Sequence, residues 1–139
     1  LTGGVVADVA GKGVPASLVM GMVRTALRME TRDNASAGDV LARLHAFVSA
    51  DLRKGMFVTM LYAVLDSRNR VVSYASAGHT PLLLYRARTD ETFFLNPRGL
   101  PVGLSFIGRA WTEFRLAAKT WNELRRAMKG SGGRKVYRR

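Results

Sequence analysis

One segment near the start of the chain constrains the fold more than any other. Residues 7–16 have the sequence Ala-Asp-Val-Ala-Gly-Lys-Gly-Val-Pro-Ala, and the apolar residues before them are typical of a short buried strand. Asp8 is therefore expected where that strand passes into a loop. Gly11 and Gly13 allow backbone conformations that are closed to other residues, and Pro15 suits the first turn of a helix. We predict a carboxylate at a strand end beside a helix N-terminus, an arrangement that suits a hard metal ion with phosphate nearby.

Other interpretations of these glycines fit less well. A Walker A loop needs Ser or Thr after its Gly-Lys pair, whereas Gly13 follows Lys12 here. The run Gly11-x-Gly13-x-x-Ala16 is closer to a dinucleotide-binding fingerprint, because it lies between a predicted strand and a predicted helix. No second strand ending in an acidic residue follows about 20 residues later, as that fingerprint requires. A plain turn with an incidental aspartate stays open for this segment taken alone.

The composition bounds the class of protein. The chain has 139 residues, 47% of them hydrophobic, which is typical of one globular domain. It has no cysteine, which excludes disulfides, cysteine catalysis and thiolate metal sites. No run approaches the ~20 apolar residues of a membrane span, and we expect a cytoplasmic location. Oligomeric state cannot be deduced from these features.

Positive charge is concentrated at the end of the chain. Residues 1–104 contain 12 Lys and Arg against 8 Asp and Glu, whereas residues 105–139 contain 10 against 2, so the formal net charge of +12 divides into +4 and +8. The final stretch also carries the sequence Gly-Ser-Gly-Gly, which is typical of a flexible segment. We therefore expect a solvated extension and no specific nucleic-acid partner.

Hydrophobic periodicity predicts one strand, two helices and then a run of strands. The first helix is expected over about 14–32 and the second from the N-cap Ser36, with Asp39 three residues later. The expected strands lie at about 56–65, 71–77, 82–86 and 92–95, the first two joined as a hairpin. The predicted helical core residues are Leu18, Val19, Met22, Val23, Ala26, Leu27, Val40, Leu41, Leu44, Phe47 and Val48, with His45 beside them as a boundary residue.

Four ordered motifs resemble one protein family. Residues 7–16 are similar to its GDVSGKGVPA motif, residues 57–66 to its FVTLFYGVLD strand, residues 74–84 to its YANAGHNPPLL segment, and residues 99–103 to its G-x-PLG turn. On these motifs the chain resembles the SpoIIE/RsbU-like bacterial branch of the PPM-type (type 2C) metal-dependent serine/threonine phosphatases. That resemblance implies an α+β fold, here an incomplete β-sandwich flanked by helices in α/β/β/α layers, with the metal site between the sheets at one end.

The same resemblance implies roles for individual residues. Asp8 would bridge two Mn²⁺ or Mg²⁺ ions and the backbone carbonyl of Val9 would reach one of them, while Gly11 and Gly13 shape the loop. Lys12 would help to attract phosphate, and His79 would lie at the rim of the site, the alternatives being a solvated lysine and a structural turn histidine. Metal-bound water would attack phosphoserine or phosphothreonine on a regulatory protein, an anti-sigma-factor antagonist in sigma-factor partner switching.

The resemblance ends at Leu104. The family's later Pro-Gly-Asp turn, Thr-Asp-Gly motif and final aspartate have no counterpart here, and its earlier Gly-Gly-Asp segment would precede residue 1. We therefore divide the chain into a partial phosphatase domain at 1–104, truncated at both ends, and a non-family basic tail at 105–139, helical over 105–128 and then disordered. We expect a fragment with weak or no activity. The alternatives are a pseudophosphatase that binds a regulatory partner without turnover and a basic binding module in the tail.

Overall fold

The computed structural model of this chain describes residues 1–32, 36–86, 89–104, 111, 113–117 and 135–138. Two helices and seven strands lie in these ranges. In chain order they are β1 (Thr2–Val9), α1 (Val14–Glu30), α2 (Ala37–Val48), β2 (Val58–Asp66), β3 (Val71–Ala77), β4 (Leu82–Arg86), β5 (Glu91–Leu95), β6 (Phe114–Ala117) and β7 (Lys135–Arg138).

The strands form two antiparallel sheets. The first has the order β1-β2-β3-β6 and the second β4-β5-β7. Both helices pack on one face of the first sheet, and the second sheet packs on its other face. The predicted α+β sandwich is confirmed in these three layers.

Both helices begin where the sequence predicts. Gly13 is the N-cap of α1, with φ 74° and ψ −160°, and the proline lies in the first turn. Ser36 is the N-cap of α2, and its Oγ accepts a hydrogen bond from the backbone N–H of Asp39 at 3.1 Å. A first-turn proline marks the start of α1 and a side-chain cap the start of α2, so both signals are local.

The main core lies between the helices and the first sheet. It contains eight of the eleven predicted helical positions as buried residues. Met22 is half-buried, whereas Leu18 and Phe47 are exposed, at 65% and 55%. For these two residues the prediction was wrong. Periodicity identifies the apolar side of a helix, but the helices contact a sheet along a narrower strip than the apolar arc.

A smaller core joins the two sheets. Tyr74 of β3 packs with Phe93 and Leu95 of β5, and partly buried apolar side chains from β2 and β4 surround them. Because successive side chains of a strand point to opposite faces, β2 and β3 serve both cores. This explains the near-continuous apolar sequence of β2.

The prediction for the last part of the chain needs correction. A helix was expected over 105–128, but Phe114–Ala117 form strand β6, which pairs with β3 from Tyr74 to Val71. The ring of Phe114 stacks on Tyr74 with centroids 5.6 Å apart. Pairing with an open sheet edge overrides a weak helical pattern. Lys135–Arg138 likewise form β7 where disorder was expected, and the rest of both predictions lies outside the described residues.

Candidate functional site

Asp8 lies at the end of β1, one residue before the strand stops. Its partner in the register with β2 is Thr59, so the two side chains lie on the same face of the sheet. Val9 faces the helices and is 8% exposed. Asp8 therefore points to the opposite face, on the side of the second sheet, and it is exposed. The structure thus places the predicted carboxylate at one end of the sandwich.

The carbonyl of Val9 points away from β2. The backbone N–H of Ala10 donates to the carbonyl of Phe57 at 2.8 Å, while Val9 and Val58 are register partners. This pattern defines Val9 and Val58 as a non-hydrogen-bonded pair, whose backbone groups face outward from the ladder. The carbonyl oxygen of Val9 therefore takes no part in the hydrogen-bond ladder with β2.

The loop after β1 needs its two glycines. Gly11 has φ 139° and Gly13 has φ 74°, both in the region that L-residues avoid. Lys12 lies between them and is exposed. No side chain caps the N-terminus of α1, and the positively charged Lys12 lies in the loop that leads into it. This combination gives the loop a positive potential.

His79 lies at the same end of the first sheet. Its Nδ1 is 3.1 Å from Oγ1 of Thr59, the residue opposite Asp8. Its backbone N–H donates to Oγ of Ser76 at 3.2 Å, and Ser76 is buried. The structure therefore brings together Asp8 and His79, which are far apart in the sequence, through the strand that lies between them.

The turn around Pro101 supports this end of the sheet. Val58 and Val102 exchange two backbone hydrogen bonds of 2.9 and 2.8 Å. The backbone N–H of Gly103 donates to Nδ1 of His45 at 3.2 Å. Burial lowers the pKa of His45 below its ordinary value, and its half-buried position confirms the predicted boundary role.

Sequence reasoning missed the part that Thr59 and Ser76 play here. Thr59 was expected to pack or to hydrogen-bond within its own strand, but its hydroxyl contacts His79 instead. The motifs alone do not reveal this contact. It becomes visible only from the strand register, which sets Thr59 opposite Asp8.

The other carboxylates lie elsewhere. Oδ1 of Asp66 accepts from the N–H groups of Arg68 and Asn69 in the β2–β3 turn, and these bonds lower the pKa of Asp66. Within the described ranges, no three His, Cys, Asp or Glu side chains come together in a group able to hold a metal ion. Asp8 is thus the carboxylate that this part of the chain offers to the candidate site. No helix of the described residues has the length and apolar character needed to cross a membrane.

Comparison with known proteins identifies the family. Residues 2–120 match the family described as Stage II sporulation protein E (SpoIIE). The match extends past Leu104, where the sequence analysis ended the resemblance. Phosphoserine phosphatase RsbU of Bacillus subtilis (strain 168) is 38% identical over 101 residues, which cover 72% of this chain and 30% of RsbU. This chain therefore spans less than a third of that relative.

Solved structures share the fold. A crystal structure of the RsbU and RsbW domains of Rv1364c from Mycobacterium tuberculosis is similar with a TM-score of 0.69 and 31% identity, over 81% of this chain and 31% of that one. A SpoIIE family protein from Thermanaerovibrio acidaminovorans has a TM-score of 0.62 at 15% identity, over 81% of this chain and 68% of that one; it supports the fold alone. With motifs, fold and family match in agreement, the chain belongs to the SpoIIE family of PPM-type phosphatases.

Proposed function

We propose that this chain forms part of the catalytic domain of a phosphatase that acts on phosphoserine or phosphothreonine of a bacterial regulatory protein. The observation that carries the proposal is the exposed carboxylate of Asp8 at a strand end, beside the glycine loop and the open N-terminus of α1. Membership of the SpoIIE family and 38% identity to a phosphoserine phosphatase support it.

The residues in and beside this loop suit two roles, metal binding and phosphate binding. The Asp8 carboxylate and the outward carbonyl of Val9 are oxygen donors of the kind that Mn²⁺ and Mg²⁺ prefer. Lys12 and the first turn of α1 offer positive charge and N–H groups to an anion. Gly11 and Gly13 let the loop adopt backbone conformations that L-residues avoid. A phosphorylated side chain would thus meet positive charge as it approaches Asp8.

The described residues do not complete a metal site. Mg²⁺ takes about six oxygen ligands and usually keeps several waters, yet one carboxylate and one carbonyl are the protein ligands identified at this end of the sheet. A two-metal site would need further carboxylates from outside the described residues. We therefore propose that this chain by itself has weak or no phosphatase activity.

The proposed substrate is a phosphorylated partner-switching protein of the anti-sigma-factor antagonist type, in the cytoplasm. The support is that one relative is a phosphoserine phosphatase and that another solved structure joins an RsbU domain to an RsbW domain. A formal net charge of +12 favours association with an acidic or phosphorylated surface.

A second candidate function is binding without turnover. The lack of a three-residue metal-ligand group in the described part of the chain favours it. In that case the loop around Lys12 would hold the phosphoprotein and no phosphate would be released.

Asp8→Asn tests the proposal, with Asp51→Asn as the matched control. Asp51 is an exposed aspartate beyond the end of α2, and its substitution removes the same charge. We expect the Asp8 variant to bind Mn²⁺ more weakly, by electron paramagnetic resonance of free Mn²⁺, while the Asp51 variant binds as the parent chain does. Any Mn²⁺-dependent hydrolysis of an aryl phosphate is expected to follow the same order.

The outcomes separate the two candidates. Mn²⁺ binding that depends on Asp8 together with phosphate release supports the phosphatase. Capture of a phosphoserine peptide without release supports binding alone. Equal Mn²⁺ affinity in all three proteins would show that Asp8 is not a metal ligand, and the proposal would then be wrong.

A further inference from the structure

Two hydrogen bonds fix the position of His79. Its backbone N–H donates to Oγ of Ser76 at 3.2 Å, and its ring nitrogen Nδ1 lies 3.1 Å from Oγ1 of Thr59. The other ring nitrogen, Nε2, has no hydrogen-bond partner among the residues that the structure describes. The ring is therefore held from one side, and one nitrogen remains for a ligand.

The hydrogen bond to Thr59 can form with either tautomer of this ring, with a different donor in each case. A hydroxyl donates one hydrogen, and a neutral imidazole carries its proton on only one nitrogen. If Nδ1 carried that proton, it would donate to Oγ1, and the half-buried hydroxyl would have no acceptor for its own hydrogen within the described part of the chain. In the other tautomer Thr59 donates to Nδ1 and the proton is on Nε2, so the donor without a protein partner is the ring N–H. A ligand that accepts hydrogen bonds satisfies that donor and therefore favours this tautomer.

The position of this donor matters as much as its protonation. Thr59 is the register partner of Asp8, and their side chains share the face that is turned toward the second sheet. The Nε2–H group consequently belongs to the same end of the sandwich as the candidate metal ligand. The oxygens of a phosphate dianion act only as acceptors, so an Nε2–H group is complementary to them whereas a bare Nε2 lone pair is not.

We propose that His79 is a substrate-binding residue whose Nε2–H donates to a phosphoryl oxygen, and that Thr59 is a positioning residue that holds His79 in this tautomer. The inference rests on the proposed phosphatase site and adds a specific contact to it. It also distinguishes His79 from a metal ligand, because a metal ion on Nε2 would take the lone pair there and leave the proton on Nδ1.

Long-range ¹H–¹⁵N NMR of the full chain tests the tautomer directly. We expect His79 to show a protonated Nε2 and a hydrogen-bonded Nδ1. Thr59→Val keeps the shape but removes the hydroxyl, and it should shift the Nδ1 resonance and admit the second tautomer. Thr59→Ser restores the hydroxyl and should restore the pattern of the parent chain. His45 is the other histidine of the chain, and its unchanged resonances report an intact fold.

Titration with inorganic phosphate tests the role of the donor. We expect the Nε2 and Hε1 resonances of His79 to move on binding while those of His45 stay in place. Thr59→Val should weaken phosphate binding about two- to tenfold, the usual effect of one hydrogen bond, and Thr59→Ser should restore it. His79→Ala should weaken binding at least as much. Thr92→Val, which removes the hydroxyl of a half-buried threonine in β5, is the matched control and should have no effect.

The results discriminate between failure of this inference and failure of the proposed function. A protonated Nδ1 in the parent chain, or phosphate binding that Thr59→Val leaves unchanged, would overturn the inference even if the Asp8-dependent Mn²⁺ assay succeeds. If that assay fails while His79 takes up phosphate as the expected tautomer, the inference holds as a phosphate-binding contact and only the metal-dependent step is lost.

Discussion

Replacing Gly78 with alanine tests the close packing that places His79. Gly78 has φ 64°, in the left-handed region. A Cβ at this position would lie 2.6 Å from both Cδ and Cγ of Pro101. Two penalties therefore combine, a strained backbone and a collision with a rigid ring. Both act directly beside the backbone N–H that His79 donates to Ser76.

The expected magnitude follows from these two terms. An alanine in the left-handed conformation costs about 1–2 kcal/mol, and overpacking against a fixed neighbour costs about 1–3 kcal/mol. Gly55 supplies a control, because it has φ 87° but an added Cβ there would meet nothing within 4 Å. We expect Gly55→Ala to lower the free energy of unfolding by about 1–2 kcal/mol and Gly78→Ala by about 2–5 kcal/mol.

Urea unfolding of the parent chain and both variants measures the difference, with the same m-value required in each case. The histidine resonances of Gly78→Ala show at the same time whether His79 has lost its contacts. If Gly78→Ala is no more destabilising than Gly55→Ala, Pro101 does not lock this turn, and the packing argument for the position of His79 fails.

Two further predictions concern α2. Burial lowers the pKa of His45 below 6.5, so as the pH falls the unfolded chain binds a proton at this residue before the folded chain does. The contribution of neutral His45 to the free energy of unfolding is therefore complete above about pH 6.5. It is lost as the pH falls through the pKa of His45 in the folded chain. His45→Gln should flatten this part of the profile of urea midpoint against pH, and an unchanged profile would contradict the assignment. Ser36→Ala removes the acceptor for the N–H of Asp39 and should cost about 1 kcal/mol in urea unfolding; no loss would show that Glu113, which accepts from Ala37 N–H at 2.5 Å, suffices as the cap.

The sequence predicted structure well where the contacts that fix an element lie within a few residues of each other. Pro15 after the glycine loop and Ser36 before Asp39 each fix a helix start through contacts within a few residues. The polar turn after β2 is equally local, because Asp66 accepts from N–H groups two and three residues later. Strands β3 and β4 also have the predicted bounds.

Long-range pairing limited the rest of the fold prediction. Strand β6 forms because the edge of β3 offers hydrogen-bonding groups to Phe114–Ala117. Those four residues by themselves do not predict a strand. Leu18 and Phe47 lie on the apolar side of their helices but beyond the strip that touches the sheet. Exposure of a side chain depends on the neighbouring element, which periodicity does not specify.

The candidate site divides in the same way. The sequence by itself determined that Asp8 ends a strand beside a glycine loop and a helix start, because residue types and their spacing encode that local geometry. Only the tertiary structure decided which side chains lie opposite Asp8. The antiparallel register sets Thr59 opposite Asp8 and brings His79 to the same end, and a register is chosen by the burial of whole strand faces, since a shift of one residue would turn every side chain to the other side.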